Sequence, residues 1–76
     1  MDRDELIRNI KSAIDTNGGT VCLSLACGNY HVVRFNPSNG HHEVKWSPCW
    51  DVESWERLED LNTRLLTDIA NDLNII

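Results

Sequence analysis

Seventy-six residues, 41% of them apolar, with twelve acidic and seven basic side chains, leave room for a single core and a net charge of −5. This balance excludes wholesale disorder. It also argues against a basic face for direct nucleic-acid binding and against attraction to an anionic membrane surface.

No run of 18 or more apolar residues occurs, and the first residues, MDRDELIRN, are charged and helical in pattern. The expectation is a cytosolic chain with no membrane span and no signal peptide. Cys22, Cys27 and Cys49 are odd in number and widely spaced, so free thiols are expected.

Taken in order, the chain opens with Asp2 followed three residues later by Glu5, the spacing of a capping box. Leu6, Ile7, Ile10, Ala13 and Ile14 then recur along one face, and Asn17-Gly18-Gly19 ends the pattern. The spacing predicts a helix over about Asp2–Asn17, its first turn rich in carboxylates that suit the helix dipole.

From Thr20 to Ala26 the period changes to two, with Val21, Leu23 and Leu25 on one side. Cys27-Gly28-Asn29 reads as a tight reversal, and Tyr30–Phe35 as a second strand. Asn36-Pro37-Ser38-Asn39-Gly40 carries the strongest turn chemistry in the chain. His41–Trp46 alternates again, placing His42, Val44 and Trp46 opposite His41, Glu43 and Lys45.

A two-residue turn at Gly28-Asn29 would pair Leu25 with Val32 and Leu23 with Arg34. The second hairpin instead puts Val33 and Phe35 on the face of Val44 and Trp46. Either a bulge lies near Gly28, or the second strand is apolar on both faces and leaves Tyr30 and Val32 uncovered.

The last third, Asp51–Ile76, reads as one long amphipathic helix. Val52, Trp55, Leu58, Leu61, Leu65, Leu66, Ile69, Leu73 and Ile76 form its stripe, uninterrupted by Gly or Pro. The expected fold is therefore α+β, a single α-β-β-β-α domain over residues 1–76 with a three-stranded antiparallel meander. Such a helix would run roughly 36 Å at 1.5 Å per residue, against about 20 Å for a six-residue strand. The excess exposes Leu65, Leu66, Ile69, Leu73 and Ile76 as candidate contacts for a second copy of the chain or another protein.

The chemistry-bearing residues point away from catalysis. Cys22, Cys27, His31, His41, His42 and Cys49 lack the paired spacing of a zinc site, and His41 and His42 alternate to opposite faces. Cys49 precedes the expected helix start, which would lower a thiol pKa, but Asp51 and Glu53 oppose the thiolate. No metal, cofactor or catalytic residue is expected.

Charge is more informative. Asp51, Glu53, Glu56, Glu59, Asp60, Asp68 and Asp72 against Arg57 and Arg64 give the last segment −5, equal to the net charge of the whole chain. Trp46, Trp50 and Trp55 gather beside it. Trp50, Glu53, Glu56, Arg57, Glu59 and Asp60 are the candidate contacts for a basic protein partner.

The order α-β-β-β-α resembles that of double-stranded RNA-binding domains. That family uses a basic cluster at the start of its second helix, where this chain has Asp51-Val52-Glu53-Ser54. The resemblance thus implies topology and not RNA binding. In size and charge the chain is similar to small inhibitors of phages and mobile elements, including anti-CRISPR and antitoxin-type proteins. The expected function is a non-catalytic, inhibitor-like binding module for a basic, nucleic-acid-handling protein. A homodimeric assembly subunit and a small Cys/His metal or thiol protein are the alternatives.

Overall fold

A computed structural model describes residues 2–23, 30–49 and 52–75, with backbone placement only for Tyr30, His31, 46–49 and 52–54. The element order is α1 (Arg3–Thr16), β1 (Thr20–Cys22), β2 (Tyr30–Asn36), β3 (His41–Cys49), β4 (Val52–Arg57), a 3₁₀ turn (Leu58–Asp60) and α2 (Thr63–Asp72). The fold is α+β: an N-terminal helix, a four-stranded antiparallel sheet in the order β1-β2-β3-β4, and a C-terminal helix.

Helix α1 forms as its sequence predicts. The Asp2 side chain accepts the Glu5 backbone N–H at 2.8 Å, satisfying one of the donors left over in the first turn. Leu6, Ile10 and Ile14 turn one buried stripe inward. At the far end the Gly19 N–H reaches the Ile14 carbonyl and the Gly18 N–H the Asp15 carbonyl, a Schellman closure. It requires a left-handed residue after the cap, and Gly18, at φ 87°, supplies it.

The β2–β3 hairpin also follows its turn chemistry. Asn36 Oδ1 accepts the Ser38 N–H, the Asn36 carbonyl accepts the Gly40 N–H at 2.8 Å, and Gly40 takes φ 74°. Val33 pairs with Val44 and Phe35 with His42, the faces expected from alternation. In β1 the register is Thr20↔Arg34, Val21↔Val33 and Cys22↔Val32, three residues from the pairing of a two-residue turn. The irregularity falls between Tyr30 and Val32; Gly28, where a bulge was considered, lies outside the described residues. Strand β2 therefore carries Val33 on one face and Val32 on the other.

The last third departs from expectation. Residues 52–57 are a fourth strand, so the sheet has four strands rather than three. The helix covers only Thr63–Asp72, ten residues, about 15 Å at the α-helical rise. The α-β-β-β-α order shared with double-stranded RNA-binding domains is not kept.

The physical reason lies in the turn between them. Leu58 and Leu61 are both buried, and in a 3₁₀ turn residues three apart stack over each other. Their spacing matches a helical stripe although the chain there is nearly out of helix. Asn62 then caps α2, its Oδ1 accepting the Leu65 N–H at 2.8 Å. Leu61, just before that cap, and Leu66, four residues after it, are 3% and 0% exposed and staple the entry.

One core joins all layers: Leu6, Ile10 and Ile14 of α1, Val33 and Val44 of the sheet, Leu58 and Leu61 of the turn, and Leu66, Ile69 and Ala70 of α2. Both helices contribute to this core with the same face of the sheet, the one bearing Val33 and Val44. No helix among the described residues is long and apolar enough to cross a membrane.

Candidate functional site

Directly opposed residues of an antiparallel sheet share a face, so the register assigns each described side chain of the strands to the helix side or the open side. The open side carries two rows, Thr20–Arg34–Glu43–Arg57 and Cys22–Val32–Lys45–Trp55, with Asn36 opposite His41 beyond them. Three of these residues are basic and one is acidic, a net of +2. The remaining described side chains, on the helices, the turns and the helix side of the sheet, number four basic and nine acidic, a net of −5. Among the described side chains the charge is thus segregated in space, net basic on one face of the sheet and net acidic elsewhere.

On the open face the Arg34 guanidinium lies 3.6 Å from the ring centroid of Trp55, two strands away. Beside it Glu43 is only 7% exposed. Arg34 Nε and Nη2 each approach Glu43 Oε1 at 3.4 Å, Asn36 Nδ2 donates to the same oxygen at 3.3 Å, and Asn39 Nδ2 donates to Oε2 at 3.2 Å. Burial pushes the Glu43 carboxyl up, but these hydrogen bonds from Asn39, Asn36 and Arg34, with the Arg34 charge, outweigh it and hold the pKa below the usual value.

On the helix side, two side chains of α1 make three long-range contacts with the 3₁₀ turn and the residue that follows it. Arg3 donates to the Leu61 carbonyl at 2.5 Å and the Glu59 carbonyl at 2.6 Å, and Lys11 Nζ meets Glu59 Oε2 at 2.6 Å. Glu59 is pushed up by partial burial, but the Lys11 hydrogen bond, a backbone N–H and the charges of Lys11 and Arg57 together lower its pKa. Asp4 and Glu5 on α1, Asp60 on the turn and Asp68 on α2 stay exposed. Nothing in local sequence could show that Asp4 and Glu5 share an end of the molecule with Asp60.

The expected contact residues do not form one strip. Strand alternation places Glu56, half-buried, opposite Val44 on the helix side and Arg57, exposed, opposite Glu43 on the open side. Glu59 is tied to Lys11, and Asp60 is exposed. Trp50 lies outside the described residues, as does the side chain of Glu53.

Among the residues expected at a dimer contact, Leu66 and Ile69 are fully buried within the domain, Leu65 and Leu73 pack half-buried against its core, and Ile76 lies outside the described residues. The helix runs ten residues, about 15 Å, rather than the roughly 36 Å that would have outrun the sheet.

Of the thiols and imidazoles, Cys22 is free and exposed. His42 Nε2 lies 3.0 Å from Asp15 Oδ1, with its ring 4.9 Å from that of Phe35. Cys27 lies outside the described residues, as do the side chains of His31 and Cys49. Among the described residues no three His, Cys, Asp or Glu side chains are grouped to hold a metal ion. Comparison with protein-family models, curated proteins and solved structures finds no match to this chain.

Proposed function

We propose that this chain is a non-catalytic protein-binding module, a small acidic inhibitor that docks on the basic surface of a nucleic-acid-handling protein. The observation that supports it is the segregation of charge. The side bearing the helices holds nine acidic against four basic side chains among the described residues. Two of those four, Arg3 and Lys11, are already engaged with the 3₁₀ turn. Asp4, Glu5, Asp60 and Asp68 are left exposed on that side.

A surface of this kind steers a cationic partner and occupies the place that the phosphate backbone of the partner's nucleic acid would take. Proteins that handle nucleic acid carry such cationic surfaces because they replace condensed counterions.

The test is retention of host proteins on the immobilised chain, compared with an Asp4→Lys/Asp60→Lys variant. A basic protein that elutes as salt rises, and is lost with the variant, is the expected result. Equal retention by the variant, or indifference to salt, would refute the reading.

A further inference from the structure

We infer that the open face of the sheet is a second docking surface, and that its occupant is an acidic segment of a protein. This does not rest on the function proposed above, which concerns the opposite side of the molecule.

Three observations carry it. First, among the described residues neither helix packs on this face; both join the core with Val33 and Val44 on the other side. Second, the described side chains of this face comprise three cations, Arg34, Lys45 and Arg57, and one carboxylate, Glu43, the reverse of the balance among the other described side chains. Third, Arg34 is oriented by Trp55 and bound only loosely to its carboxylate neighbour. Its guanidinium is stacked on Trp55, and it meets Glu43 only at 3.4 Å, longer than the roughly 2.7–2.9 Å of a strong charge-assisted bond. Glu43 has Asn36 and Asn39 as further donors, so Arg34 can turn its fork toward a second carboxylate without stranding the first.

The spacing suits an extended peptide. Arg34 and Arg57 sit in one row two strands apart, and Lys45 lies two residues along β3 from that row. At about 4.8 Å between strands and 3.4 Å per residue, the three cations are separated by roughly 8–10 Å at the backbone. Acidic side chains at alternate positions of an extended segment repeat at about 7 Å, within reach of long Arg and Lys side chains.

A single-stranded nucleic acid fits less well. Base stacking needs an open aromatic face, and Arg34 already lies over the Trp55 ring. A long polyanion would also meet the acidic remainder of the molecule.

The experiment is an amide and indole NMR titration of the whole chain at low salt with three probes: decaglutamate, decalysine and decauridylate. Decaglutamate should shift the Trp55 indole N–H and the amides of Arg34, Lys45 and Arg57 saturably, and release as salt is added. Arg57→Gln, at an exposed position, should keep the spectrum of the folded chain and weaken binding severalfold, roughly tenfold when joined to Arg34→Gln.

No shift with decaglutamate, shifts confined to the helix side, or unchanged affinity of Arg57→Gln would overturn the inference. So would decauridylate binding the sheet face as tightly as decaglutamate. Decalysine should move Asp4, Glu5 and Asp60 instead; failure there counts only against the function proposed for the helix side.

Discussion

Arg34 of β2 reaches across β3 to lie 3.6 Å from the ring centroid of Trp55 on β4, so the two strands that flank β3 are tied over its back. The contact exists only because 52–57 is a strand. A cation over a tryptophan contributes about 0.5–1 kcal/mol when exposed and about 2 when desolvated. A double-mutant cycle of Arg34→Ala and Trp55→Ala, read by urea unfolding, should return a coupling in that range. Coupling near zero would mean that the two side chains do not meet in solution.

Stability should fall with acid in a defined window. Glu43 and Glu59 both have folded pKa values below the ordinary glutamate value of 4.5. The unfolded chain therefore binds more protons than the folded one just below that pH, and stability rises with pH there. The contribution is fully present above about pH 4.5 and is lost as pH drops through the folded pKa values. Urea melts between pH 3 and pH 7 (roughly the range over which carboxylates titrate) should show that fall. Glu43→Gln should make it shallower and cost about 1–3 kcal/mol at neutral pH by weakening charge-assisted bonds.

Asn62→Ala separates the short helix from the long one by sign. As the cap of α2, Asn62 should lose about 0.5–2 kcal/mol on replacement, and Asn62→Ser should restore most of it. Inside a continuous helix from Asp51, alanine would instead be the better residue and would stabilise. Thermal unfolding of the two variants decides between them.

Ile69→Ala bears on the role of the second helix. Ile69 is fully buried within the domain, so truncation should cost about 2–5 kcal/mol, a large share of what a domain this small possesses. The loss should be the same at dilute and concentrated protein. A loss that grows on concentration would place Ile69 in an interface between copies.

The segments legible from sequence are those whose hydrogen bonds close locally. Asp2 with Glu5, the Gly18-Gly19 closure and the Asn36–Gly40 turn each satisfy their donors within a few residues, so residue type alone identifies them. The faces of β2 and β3 were legible for the same reason, because the turn between them sets their register.

Residues 52–61 misled because Leu58 and Leu61 repeat by three in a 3₁₀ turn, and Val52 and Trp55 happen to continue that spacing through a strand. The corrective signal was present in Asn62-Thr63, a capping pair inside an apparently unbroken stripe.

By itself, then, the order of residues determined α1, the central hairpin, the acidic total and the α+β class, all consequences of local bonding and composition. Tertiary structure alone decided that Val52–Arg57 completes the sheet, because a strand is chosen by a neighbour offering a free edge, here β3. The same pairing decided where the charges stand. Alternation along β4 sends Arg57 to one face and Glu56 to the other, and Arg3 and Lys11 draw α1 onto a turn more than forty residues distant.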